Sequence, residues 1–214
     1  MKTELTLGRE LDRRYRPVDL ADRFAYRFTR VLRFFADAFF RRRYGHRAVV
    51  LETVAAVPGM VAATMQHLRS LRRMQDDGGW IRAMLDEAEN ERMHLMTFVE
   101  VAKPSAFERC LIVLAQGVFY NAFFLIYLCS PRVAHRITGF FEEEAVVSYT
   151  DYLREIDAGH LPNPPAPAIA RSYWRLSEDA RLRDVVAAVL RDEAGHRDVN
   201  HRFADELRMA RRAS

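Results

Sequence analysis

Glycine and proline are scarce in this chain of 214 residues, at nine and eight. Four of the prolines crowd into residues 161–167. Long stretches therefore carry no helix breaker, and the chain is predicted to be all-α. Only two cysteines occur, Cys110 and Cys129, both inside one apolar stretch. That excludes a disulfide scaffold and a Cys-ligated zinc site. Lysine is nearly missing: Lys2 and Lys103 are the only two among 33 basic residues. Residues 1–16 are polar and charged, so no secretory signal peptide is expected there. No period of 20–50 residues repeats, which argues against a solenoid.

What is present is half hydrophobic and 29% charged, enough to build a core and far from a disordered composition. The basic excess is uneven. Residues 1–47 hold 13 Lys/Arg against 6 Asp/Glu, which suits an anionic surface such as lipid headgroups. Nothing else supports nucleic acid, and no nucleic-acid partner is expected.

Helices are predicted over about 20–40, 47–75, 80–103, 105–129, 132–158 and 177–208, with a short piece near 168–176. In the first, Phe24, Phe28, Val31 and Phe35 share one face and Arg23, Arg27, Arg30 and Arg33 the other. A helix lying in a membrane surface and an amphipathic helix on a soluble core both fit this pattern. Pro58 interrupts the second helix and should kink it or be absorbed by neighbours. Residues 110–131 carry no charge, a length that could span a bilayer, although Gln116, Gly117 and Asn121 fall within it.

The chemistry lies in carboxylates and histidines. Glu91-Arg-Met-His94 and Glu193-Ala-Gly-His196 are Glu-x-x-His pairs, whose members share a helix face and can address one metal. A single pair is weak, but the order along the chain is Glu52, Glu91/His94, the triplet Glu142–Glu144, and Glu193/His196. A di-iron or di-manganese site in a four-helix bundle needs one Glu from each of two helices and a Glu-x-x-His from each of the other two. Glu52 sits amid Val and Leu, where a carboxylate is costly unless paired or metal-bound. Within the triplet, Tyr149 lies seven residues beyond Glu142 and so points nearly the same way. If a core tyrosine and a ligand share a face, Glu142 is the ligand and Glu143 points well away.

These residues resemble the alternative oxidase family, the di-iron quinol:oxygen oxidoreductases of respiratory membranes. The matching strings are LETVAAVPGMV (51–61), DEAENERMHLMTF (86–98), FEEEAVVSYT (141–150) and DEAGHRDVNH (192–201), with SYWRL (172–176) and DARLRDVVAAV (179–189) between the last two. The resemblance implies a ferritin-like di-iron four-helix bundle with two further apolar or amphipathic helices forming a monotopic membrane face. It implies one domain over 1–214, with an arm at 1–17 and the family core at 18–212. The activity implied is cyanide-insensitive oxidation of ubiquinol with reduction of O2 to water, without proton pumping. Carried over by position, the ligands of two iron ions are Glu52, Glu91, His94, Glu142, Glu193 and His196. Tyr149 is the redox-active tyrosine, and Asn90 and Asp192 stand behind the ligands. By their place beside the ligand pairs in the sequence, Arg92 and His201 could also orient them. The quinol site falls on Arg47, Leu51, Phe141, Glu144, Ala145 and Ser148. A homodimer is implied, with His67 and His135 near its contact.

The match has departures. Gly195 replaces a family histidine beside His196, and Val147 replaces another in the tyrosine block. No targeting extension and no regulatory cysteine are seen before the family core, so the cytoplasmic face of a bacterial inner membrane is the expected location. Another di-iron oxygenase or desaturase, or an inactive membrane-surface metal protein, would use the same ligands. If residues 110–131 crossed the bilayer, half the ligands would be stranded on each side. The segment is therefore expected to lie within one leaflet.

Overall fold

The structure is a computed structural model that describes residues 11, 13–40 and 44–213. Every long element among them is a helix: α1 (Leu20–Phe40), α2 (Tyr44–Arg73), α3 (Trp80–Ala102), α4 (Ala106–Cys129), α5 (Pro131–Asp157), α6 (Ala168–Trp174) and α7 (Leu182–Ala213). The fold class is all-α, as the scarcity of breakers predicts. Most of the 1–17 arm lies outside the described residues. The chain forms two compact units, one from residues up to 39 together with 135–214, the other from 40–134.

In the 40–134 unit, α2 and α3 pack at very close range. A Cβ on Gly59 would stand 2.5 Å from the Met84 carbonyl oxygen, so only glycine admits this approach. The turn between them needs left-handed backbone at Gly78 and Gly79, with φ of 64° and 83°, and glycine adopts this without a Cβ penalty. Asp77 then accepts a hydrogen bond from the Ile81 amide at 2.8 Å, in the first turn of α3. Lys103 in left-handed geometry closes α3, and Ser105 with Glu108 forms a capping box for α4.

Pro58 does not break α2, which runs through it. Proline removes the amide that would pair with the Val54 carbonyl. Gln116 of α4 donates separately to the neighbouring Thr53 carbonyl at 3.3 Å. This explains one polar residue within the uncharged stretch. Asn121 closes on the Gly117 carbonyl of its own helix at 2.8 Å. The rest of α4 is turned outward. Val113, Leu114, Val118, Leu125 and Leu128 are all exposed, Val118 by 73%. Two helical stretches, Arg47–Arg73 and Ala106–Cys129, are long and apolar enough to cross a membrane. The former is largely packed inside the protein.

In the other unit, α1 presents an unexpected face inward. Its buried stripe is Asp22, Ala25 and Thr29, while Phe24, Val31, Phe34 and Phe35 are exposed. The phenylalanine face is thus not core, as a soluble amphipathic helix would require. Arg30 and Arg33 reach instead to Glu144 of α5, at 2.8 and 2.6 Å.

The last helix begins later than the sequence suggests. Ser177 does not start it. Residues 164–166 pair with 180–182, through Ala166 N–H to the Ala180 carbonyl and Leu182 N–H to the Pro164 carbonyl, each at 2.9 Å. This short clasp holds 177–181 out of helical geometry. The proline loop is tied down further by Arg181 donating to the Asn163 carbonyl and by the Arg183–Asp157 ion pair.

Candidate metal centre

Glu52 occupies the middle of α2 and is 3% exposed. On α3, Glu91 and His94 point the same way because three residues nearly complete a turn. His94 Nδ1 lies 3.4 Å from Glu52 Oε2 and 3.3 Å from Glu91 Oε2. These three residues offer ligand atoms within 4.8 Å of one another, all buried.

The other unit builds a matching triad. Glu142 of α5 and Glu193 and His196 of α7 offer ligand atoms within 4.8 Å of one another. Both carboxylates are buried, and His196 Nδ1 stands 3.8 Å from Glu193 Oε2. Each unit thus holds two buried carboxylates and one imidazole. Two desolvated anions at this range repel, at a cost of several kcal/mol unless a cation or protons compensate them. Oxygen-rich sets with imidazole and no thiolate suit iron or manganese. The residues present therefore fit a metal.

Glu142, rather than Glu143, is the α5 carboxylate placed where it could offer a ligand atom. Glu143 does point elsewhere, but it is not on the surface. It is 5% exposed and accepts from the Tyr15 amide at 2.7 Å and from His201 Nε2 at 3.1 Å. Tyr149 is buried on α5, seven residues beyond Glu142. Asp192, beside Glu193, accepts from the Trp174 indole N–H at 2.7 Å. Trp174 was not singled out from the sequence, although it lies in the string SYWRL. Asn90 is half-buried beside Glu91. Arg92 pairs with Glu89 at 2.7 Å. Glu87, four residues before Glu91, is also buried.

Of the residues expected to meet quinol, Arg47 is buried and Leu51 half-buried one turn later on α2. Phe141, Glu144, Ala145 and Ser148 line one side of α5, all half-buried. The Glu144 carboxylate already holds Arg30 and Arg33, and Ser148 Oγ donates to the Glu144 carbonyl at 2.9 Å. His67 is exposed on α2. His135 is not at a surface. It is 2% exposed, bonded to Asn200 at 2.9 Å and packed edge-on against Phe203. Its ring is taken up inside its own unit.

Gly195 faces open space: a Cβ there would meet nothing within 4 Å. The departure at this position leaves the His196 side untouched.

The family model described as Alternative oxidase matches residues 4–205. The chain belongs to the alternative oxidase family. It is 60% identical over 191 residues to a mitochondrial ubiquinol oxidase of Batrachochytrium dendrobatidis, covering 89% of this chain and 60% of that protein. It is 58% identical over 198 residues to the mitochondrial ubiquinol oxidase 2 of Glycine max, covering 92% and 59%. With ubiquinol oxidase 2 of Nicotiana tabacum it shares 57% over 206 residues, covering 96% and 68%. This alternative oxidase family member thus spans about three-fifths to two-thirds of the length of those relatives. The six residues of its two triads include every ligand expected from the sequence.

Proposed function

We propose that this chain is the catalytic core of a cyanide-insensitive ubiquinol oxidase that consumes two quinols per O2 and pumps no protons. Membership in the alternative oxidase family, joined to two buried Glu/Glu/His triads in the order Glu, Glu-x-x-His, Glu, Glu-x-x-His, carries the reading. In it, Glu52, Glu91, His94, Glu142, Glu193 and His196 bind the two iron ions that the family resemblance implies. The fold that carries them is a ferritin-like four-helix bundle, and residues 18–212 act as one functional domain behind the 1–17 arm.

When bound, the two irons supply the electron storage and O2 reduction that amino acids alone cannot. The protein's own groups do the rest. Arg47 directs its guanidinium at a quinol oxygen. Leu51, Phe141 and Ala145 give the ring apolar walls, and Glu144 and Ser148 frame its polar edge. Tyr149 yields one proton and one electron from its phenol O–H. Asp192, fixed by Trp174, and Asn90 hold the neighbouring ligands in place.

The outward phenylalanines of α1 and the outward face of α4 seat the protein in one leaflet, so that a lipid-borne quinol enters from the membrane. The exposure of these apolar side chains supports this placement. A second copy of the chain joins through a surface that includes His67. We place the protein on the cytoplasmic face of a bacterial inner membrane. The named relatives are mitochondrial, and fractionation of the source cells decides the point.

The test is O2 uptake by iron-quantified protein in vesicles, supplied with a short-chain ubiquinol, with and without cyanide. Quinol-dependent uptake that persists in cyanide is expected. Full iron loading with no quinol-dependent uptake would refute the activity.

A further inference from the structure

On α5, Arg136, Gly139 and Glu143 stand three and four residues apart, one stripe on one side of the helix. Into this stripe α7 inserts the ring of His201. Arg136 Nη1 donates to His201 Nδ1 at 2.9 Å. A guanidinium has only donors, so Nδ1 carries no hydrogen, and the ring proton sits on Nε2. That N–H donates to Glu143 Oε1 at 3.1 Å. Burial and the neighbouring Arg136 both keep the imidazole neutral, which agrees with this tautomer.

The fit is steric as well as polar. A Cβ on Gly139 would lie 2.6 Å from two atoms of the ring. Tyr15 stacks on the ring at 4.7 Å between centroids, and Phe140 meets it edge-on. Arg136 is itself fixed by Asp22 at 3.0 Å, by the Tyr15 hydroxyl at 2.8 Å and by Asp205. Glu143 is held by the Tyr15 amide at 2.7 Å.

The socket flanks the ligands along the chain. Gly139 and Glu143 bracket Glu142 on α5, and His201 stands five residues after His196, roughly 7.5 Å along α7. A slip of one residue between the helices, about 1.5 Å and 100°, would break both bonds of the ring at once. We propose that His201 is a positioning residue: its socket of Arg136, Gly139 and Glu143 sets the register at which α7 presents Glu193 and His196 to Glu142. His201 touches neither metal nor substrate, and its effect is read in how tightly that triad holds iron. The inference rests on the metal-binding reading above.

The experiment is competition for ferrous iron between the full chain and a chelator, followed optically, with melting temperature measured alongside. Three variants are compared with the wild type. His201→Phe keeps ring volume and loses both bonds. His201→Gln keeps an acceptor for Arg136 and a donor for Glu143. Gly139→Ala crowds the ring without altering any polar group.

The expected result is weaker iron binding in His201→Phe and Gly139→Ala, by about tenfold or more, as when groups that orient metal ligands are removed. His201→Gln stays close to wild type. Wild-type affinity in a folded His201→Phe protein overturns the proposal, even if its melting temperature falls. Equal loss in His201→Gln also overturns it, because ring packing alone would then be at work. If His201→Phe does not fold, Gly139→Ala decides: unchanged affinity there refutes the register role. A wild type that binds no iron sinks this inference and the metal centre together. Iron-replete wild type with unaffected variants sinks only the inference.

Discussion

Acidification should weaken this fold through His135 of α5. Burial pushes its imidazole down from 6.5 to about 4, against the opposing pull of its hydrogen bond to Asn200. The folded state thus keeps His135 neutral at pH 5, whereas the unfolded chain takes up a proton at about 6.5. The unfolded state binds more protons in this window, so stability falls as pH drops from about 6.5 to about 4 and then levels off. A shift of about 2.5 units at about 1.4 kcal/mol each corresponds to roughly 3 kcal/mol. Urea denaturation at pH 7 and pH 4.5 measures it, comparing wild type with His135→Gln, whose amide keeps a partner for Asn200 and cannot charge. The variant should lose about 2–3 kcal/mol less than wild type over that interval. His201, also pushed down by burial, remains in both proteins and cancels in the comparison. Parallel losses would refute the reasoning.

Four further outcomes follow from particular positions. Gly195→Ala, exposed within α7 and facing open space, should raise stability by about 0.5–1 kcal/mol in thermal or urea denaturation. Gly59→Ala should lower it by about 1–3 kcal/mol, because its Cβ meets a backbone oxygen of α3 at 2.5 Å; an unchanged melting temperature would contradict the close helix contact. Phe24→Glu with Phe35→Glu should leave the melting temperature nearly unchanged, since both side chains are mostly exposed, yet abolish flotation with liposomes. Tyr149→Phe should keep its iron and lose quinol-dependent O2 uptake; unchanged turnover would remove its redox role.

The helices were legible because breakers are few and well placed: Gly78–Gly79, Pro104 and the 161–167 loop fall between them, and Pro131 opens α5. The two triads were legible because helical periodicity ties Glu91 to His94 and Glu193 to His196, and because Glu52 stands in a largely apolar run. Local pattern could not show contacts between distant segments. The start of α7 depends on the 164–166 and 180–182 clasp. The burial of Arg136 depends on Tyr15, Asp22 and Asp205, drawn from three places in the chain. Nor could periodicity decide the inner face of α1. Its most apolar stripe is outside and Asp22, Ala25 and Thr29 are inside.

The most direct test of the central claim is iron itself, measured per chain on protein grown with ample iron and then freed of loosely bound metal. The account predicts two irons in the wild type and a marked loss in the Glu142→Ala, Glu193→Ala double variant. Stray metal alone in the wild type, or full retention in the double variant, would contradict it.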